Sequence, residues 1–547
     1  MKIDFKKSFI TLIAGSLGFS TFLSLKAEDA PDLTWLKLLG TSSTDEGHAV
    51  STASDGSIYI TGNTQGDLDG ETNAGGYDAF LTKYSSDGTL TWTKLLGTSS
   101  TDIGYGVATA SDGSVYASGW TRGNLDGETN AGSHDAFLTK YSSDGTLTWT
   151  KLLGTSTVDQ SRGVAVANDG SVYSSGLTRG ALDGETNAGS YYAFLTKYGS
   201  DGTKIWTKLL GTSSNLELSY GVATASDGSV YTAGITYGDL GGETNAGASD
   251  AFLTKYSSDG TLVWTKLIGG AGSDRSLGIS TASDGSIYIT GYAGSDFDGE
   301  VNAGAGDAFL TKYSSDGTKV WTNLIGTTQV DYGYGVATAS DGSIFIAGYT
   351  LGDLDGETNA GSSDVYVQKY SSDGTLVWTK LVGSSDADYG IDISTASDGS
   401  IYISGYTYGD LNGETNAGSA DVFLFKLENA FVSNTNSGYA TYSITGTRAA
   451  GNVLTAAISS DDPDGNGTVS SYQWQSSADG STDWTAISGA TSSTYTLTES
   501  EEGKYVRVII VYTDGSSNET TLTVTLGSPI SEMHTEWLQP YAAMQNI

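Results

Sequence analysis

Residues 66–75 read GDLDGETNAG, and within them Asp67, Asp69, Glu71 and Asn73 offer side-chain oxygens at every second position. Calcium takes roughly six to eight oxygen ligands, and clustered carboxylates with an amide are the residue types that supply them. The set recurs intact at Asp296, Asp298, Glu300 and Asn302, and again at Asp353, Asp355, Glu357 and Asn359. Other copies lose oxygens: Asn124 and Ala181 replace the first aspartate, Gly241 and Asn412 the second. A metal required in every copy is therefore not expected. The competing reading is a connector whose Asp-Gly and Asn side chains bond their own backbone. A separate loop, DDPDGNG at 461–467, places Asp462, Asp464 and Asn466 together. Calcium is the one cofactor that the sequence raises.

Other chemistry is thin. The 547 residues include no cysteine, which removes disulfides, thiolate metal sites and a cysteine nucleophile together. His48, His134 and His534 are isolated from one another. No serine sits in a nucleophile elbow and no glycine-rich phosphate loop precedes a helix. A formal charge of −37 repels phosphate backbones, so nucleic acid is excluded as a partner.

The elements that position these residues are repetitive. Trp35, Trp92, Trp149, Trp206, Trp264, Trp321 and Trp378 follow one another at intervals of 57 or 58 residues. The second copy shows the unit: GVATA (106–110), an SDG turn, SVYASGWT (114–121), the acidic loop, DAFLTKY (135–141), an SSDG turn and TLTWTKLLG (146–154). These are four short strands, as two hairpins with Asp-Gly turns joined by a long loop. Large side chains on both faces of SIYIT and AFLTKY fit sheets buried between similar sheets. A four-stranded unit repeated seven times predicts an all-β seven-bladed β-propeller. The N-terminal DLTWLKLLG (32–40) lacks a partner and DVFLFKL (421–427) lacks its tryptophan strand, so Leu33–Leu39 is expected to close the last blade against Val422–Leu427.

Through DAFLTKYSSDGTLTWTKLLG and DGSVYASG the chain resembles the bacterial β-propeller repeat family (SBBP repeats), over about Leu33 to Leu427. The resemblance implies a secreted or surface protein and no particular ligand. Residues 437–526 carry other motifs, and YQWQSSADGSTDW with TYTLTESEEGKYVRV resembles bacterial immunoglobulin-like domains, with Tyr505 as the corner tyrosine. The expected order is a signal peptide at 1–27, a propeller at 32–427, a linker at 428–436, an immunoglobulin-like β-sandwich at 437–526 and a tail at 527–547. Lys2, Lys6 and Lys7 ahead of an apolar run ending near Ala27 carry the signal-peptide reading. The mature chain shows no further membrane-length segment.

Within this frame the blade-to-blade connections and the residues leaving each second strand vary between copies. Trp120, Arg122, Tyr237, Tyr406 and Tyr408 are the candidate ligand contacts, because aromatics beside polar groups suit sugar stacking. Some propellers are glycosidases, but Asp87 and Gly88 of SSDGTLTW are too close for an Asp-box. Arg122, Arg162, Arg179 and Arg275 fall at non-equivalent positions, unlike a clustered anion site. The sequence therefore predicts no enzyme, but a secreted or cell-surface scaffold for an extracellular protein or glycan, possible calcium being an accessory. The alternatives are a carbohydrate-active enzyme using carboxylates such as Asp102 or Glu217, and a structural envelope component.

Overall fold

The computed structural model describes residues 30–531 apart from 188, 213–214, 429–439, 461–467, 514–518 and 527. The expected leader, most of the linker and tail, and Asp462, Asp464 and Asn466 lie outside the described residues. The chain divides into two compact units, Met1–Glu428 and Asn429–Ile547. Among the described residues no helix is long and apolar enough to cross a membrane.

In the first unit β1 (Leu33–Leu39) is followed by β2 (Asp45–Thr52), β3 (Ile58–Thr64), β4 (Asp78–Tyr84) and β5 (Leu90–Leu96). Strands β2 to β5 form one antiparallel sheet in sequence order, and the pattern recurs in five further four-stranded sheets. The seventh sheet takes Asp388–Thr395, Ile401–Thr407 and Asp421–Leu427 from the chain's other end and adds β1 as its fourth strand. The expected pairing is present, from Leu33 opposite Leu427 to Leu39 opposite Val422. This is an all-β arrangement of the β-propeller kind.

The second and third strands, such as IYITGNT and DAFLTKY, are buried along nearly their whole length. Their apolar side chains serve two interfaces at once. One cluster joins Tyr59 and Leu81 to Val115, Phe137 and Tyr141 of the next sheet. Another joins Ile58, Ile60 and Phe80 to Tyr402, Val422 and Leu424, bringing the first and last sheets together. Hydrophobic burial therefore lies mainly between sheets, at roughly 25 cal/mol per Å² of apolar surface removed from water.

Hydrogen bonds trace the same circuit. Thr109 donates to the Thr52 carbonyl, Thr224 to Val166, Thr281 to Thr224, Thr338 to Thr281 and Thr395 to Thr338. Thr52 in turn donates to the Thr395 carbonyl at 2.9 Å, which closes the loop. The step from Val166 lacks its donor because valine has no hydroxyl. At the perimeter, Trp92 Nε1 donates to the Ser143 carbonyl of the following turn at 3.3 Å. Gly145 in that turn has φ +85, and a Cβ there would lie 3.1 Å from the Trp92 ring. Glycine meets both demands.

In the second unit a three-stranded sheet (Thr441–Thr445, Val453–Ser460, Thr494–Thr496) and a four-stranded sheet (Thr485–Ala486, Thr468–Ser477, Tyr505–Thr513, Glu519–Thr525) share one core. Trp474, Leu454, Val508 and Tyr512 are buried in it, and Trp474 Nε1 donates to the Ser492 carbonyl at 2.9 Å. Tyr505 opens its strand and packs against Gly480.

Candidate ligand-binding channel

Each first strand of the first unit contains one extra residue. The register with the second strand skips between Gly47 and Ala49, and at the equivalent place in all six other sheets. The skipped residues are His48, Tyr105, Arg162, Tyr220, Leu277, Tyr334 and Ile391. A β-bulge leaves its extra residue out of the ladder and re-aims that side chain. All seven line one cavity of about 570 Å³, to which all seven first strands contribute.

The cavity is layered. Below the bulged residues come Ala49, Gly106, Gly163, Gly221, Gly278, Gly335 and Asp392, then Val50, Val107, Val164, Val222, Ile279, Val336 and Ile393. Small residues keep the middle open, and branched apolar ones form the deeper wall. Asp392 breaks the small-residue layer. Its Oδ2 accepts from Val50 N at 2.9 Å, across the junction of the first and last sheets. Protein crowds this half-buried carboxyl, and burial pushes its pKa up to about 7.

The mouth has two unlike sides. On one, tyrosines of the fifth to seventh repeats form a continuous crescent. Tyr292 and Tyr332 stack at 4.5 Å, Tyr332 and Tyr349 at 5.1 Å, and Tyr389 meets Tyr349 edge-on at 4.7 Å. Tyr389 also lies 5.1 Å from Tyr406. Arg275 sits over Tyr292 and Tyr332 and donates to the Tyr332 hydroxyl at 2.8 Å. Burial pushes the Tyr334 hydroxyl up to about 12 and those of Tyr349 and Tyr406 well above the usual range, so all stay neutral donors. On the other side Arg162 covers the Tyr105 ring at 4.0 Å, and His48 stacks on Tyr105 at 4.9 Å. His48 Nδ1 donates to the Gly104 carbonyl at 2.7 Å. His48 Nε2 lies 3.7 Å from Glu46, and the imidazole beside it holds that carboxylate below its usual range.

The five candidate contacts divide. Tyr406 lines the cavity, and Tyr408, 43 % exposed, stands 6.0 Å from it. Trp120 is buried, stacked on His134 at 4.4 Å with Arg122 over its ring, so its faces are taken up by protein. Arg122 Nε donates to His134 Nε2 at 2.7 Å. Tyr237 is 49 % exposed and does not line the cavity. The bulge row itself was missed, together with Arg275, Tyr332 and Asp392. The signal was available: among the positions that vary between copies, this one reads His, Tyr, Arg, Tyr, Leu, Tyr, Ile between mostly small residues. Arg162 and Arg275, read as scattered, share one cavity.

In the three intact acidic loops the first aspartate and the asparagine bond nearby backbone. Asp67 accepts from Asn73 N, Asp296 from Asn302 N and Asp353 from Asn359 N, at 2.9 to 3.0 Å. Asn73, Asn302 and Asn359 donate to the Thr64, Ala293 and Thr350 carbonyls. Asp69 has φ +51 beside Gly70 at +82, a tight turn that bridges Leu68 to Glu71. Asp298 accepts from Thr322, and Asp355 from Thr379, each at 2.6 Å. Glu71 pairs with Lys94 at 2.9 Å. Glu300 and Glu357 occupy the Glu71 position, bridging to Phe297 and Leu354 through the backbone. Among the described residues no group of three or more His, Asp or Glu could hold a metal ion. Asp102 and Glu217 are fully buried, accepting from Thr98 and Thr212.

A model described as "Beta-propeller repeat" matches residues 34–69, and one described as "Domain of unknown function (DUF8696)" matches 433–527. The regulatory protein FlaEY of Caulobacter vibrioides is 26 % identical over 387 residues, covering 61 % of this chain and 40 % of that protein. An uncharacterised WD repeat-containing protein of Acanthamoeba polyphaga mimivirus is 25 % identical over 198 residues, 30 % of this chain and 14 % of that one. The chain thus spans less than half the length of these curated relatives. The Neurospora crassa Pan2 WD40 domain aligns at TM-score 0.41 and 9 % identity, covering 70 % of this chain and 90 % of that one. The repeat match, with the repeated four-stranded sheets, supports a place for this chain in a β-propeller family.

Proposed function

We propose that the seven four-stranded sheets are the blades of one closed β-propeller, followed by an immunoglobulin-like domain. In this reading the chain is a secreted or cell-surface, non-enzymatic binding or adhesion scaffold that takes an extracellular protein or glycan at the channel mouth. The bulge row carries the proposal. A chain that otherwise repeats closely carries a mixed set of side chains at the bulge, and all seven of them face the shared cavity. Scaffold positions repeat because the packing repeats; a recognition surface needs different groups converging on one point. The acidic loops act as connectors in this account, not as calcium sites. Asp102 and Glu217 are buried and accept from the backbone amides of Thr98 and Thr212, a structural role in this reading.

The test is an array of extracellular glycans and matrix proteins probed with the full chain, Tyr334→Ala, Tyr408→Ala and the perimeter variant Lys94→Ala. The reading expects at least tenfold weaker binding for the two mouth variants, unchanged binding for Lys94→Ala and melting temperatures within a few degrees of wild type. Full binding by both mouth variants would overturn it.

A further inference from the structure

The two kinds of cation in the first unit occupy different places. Every lysine among its described residues lies on a third or fourth strand, and several pair with the acidic loops, as Lys94 does with Glu71 and Lys151 with Glu128. All four arginines lie instead at the mouth end of the sheets. Arg162 and Arg275 are on first strands and line the cavity, while Arg122 and Arg179 directly follow second strands. Among the described residues none of the four is ion-paired with a carboxylate; their planes lie on Tyr105, Tyr292, Tyr332, Trp120 and Tyr191 instead. Arg162 Nη2 donates to Gln160 Oε1 at 2.9 Å, while its Nε is buried with no hydrogen-bond partner. In a chain of net charge −37, guanidiniums without counter-ions at the axis are an unmet demand for an anion.

Resting on the reading of the mouth as the binding surface, we propose that its ligand is an acidic sugar: the anionic terminal residue of an oligosaccharide, entering end-on. Three features select it. Arg162 and Arg275 line the cavity and each carries further guanidinium N–H groups beyond the bonds to Gln160 and Tyr332, the donor type that suits a carboxylate or sulfate. The tyrosine crescent beside Arg275 offers ring faces for pyranose stacking and neutral hydroxyls for sugar hydroxyls. The cavity of about 570 Å³ is of small-molecule size. The acidic surroundings limit the ligand to a single inserted anionic residue. A long polyanion laid across this face would meet repulsion from the carboxylates that surround the mouth.

The test is calorimetry on the full chain with three probes: an oligosaccharide ending in glucuronic acid, the same oligosaccharide ending in glucose, and inorganic sulfate. The acidic sugar is expected to bind at least tenfold more tightly than the neutral one, and sulfate alone more weakly than the acidic sugar. Arg162→Gln and Arg275→Gln each remove at least tenfold, while Arg162→Lys recovers part of the loss, which separates charge from folding. Equal binding of both sugars, or arginine variants that bind as wild type, would overturn the ligand assignment and leave the mouth as a binding surface. Sulfate binding as tightly as the sugar would reduce the site to an anion hole and overturn the sugar. If Tyr334→Ala also left every ligand found on the array unaffected, the mouth itself would fail.

Discussion

Aspartates of this chain titrate in opposite directions according to where they sit. In the exposed turns, Asp87 accepts from the Ser85 hydroxyl and Thr89 N, and these bonds hold it down to about 2. At the sheet interfaces Asp78 is 1 % exposed and Asp331 fully buried, and desolvation pushes each up to about 6. An unfolded aspartate titrates near 3.9, so the folded chain holds extra protons from about pH 4 to 6. Stability from the interface carboxyls is therefore full below pH 4 and is lost as pH rises through 6. The turn aspartates act inversely, contributing above pH 4 and failing as pH falls toward 2. Calorimetry across pH should show the highest melting temperature near pH 4–5 and a steady fall toward pH 8. A maximum above pH 7 would contradict these assignments.

At the scale of the element, the perimeter turn is the most specified piece of each repeat. Gly145 is held at φ +85 beneath the Trp92 ring of the preceding sheet, whereas Gly127 has a similar φ of +87 with nothing within 4 Å of its Cβ position. Gly145→Ala should cost the left-handed backbone penalty of about 1–2 kcal/mol plus the displacement of Trp92; Gly127→Ala should cost the backbone part alone. Urea denaturation of the two variants checks the difference, and equal losses would remove the ring contact from the account. Such turns were legible in the sequence because Asp-Gly pairs and tryptophan spacing are local signals. So was the closing strand, since an orphan strand at one end answered a missing one at the other. The channel was less legible. A bulge arises from pairing between strands, so nothing local marks His48 or Tyr334 as pointing inward. Trp120 misled because its size suggested a sugar platform, while His134 and Arg122 occupy its faces.

For the whole molecule, closure is what makes a mouth. Strand β1 completes the last sheet, Asp392 bonds Val50, and the threonine circuit returns from Thr395 to Thr52. Each device joins residues from opposite ends of the repeat array, so none arises from local folding alone. An open array would expose sheet edges and separate Arg162 from Tyr406. The junction can be locked directly, because the chain has no cysteine to interfere. Thr52 Oγ1 and Ser394 Oγ lie 3.0 Å apart across it, 342 residues apart in sequence. The decisive measurement is oxidation of a Thr52→Cys/Ser394→Cys variant, beside a Ser280→Cys/Thr338→Cys control between sequential sheets, where the hydroxyls are 3.4 Å apart. Closure predicts that both pairs form disulfides, the first giving a large mobility shift on a denaturing gel and a raised melting temperature. A control that oxidises while the Thr52–Ser394 pair stays reduced would contradict the closed ring, and with it the channel.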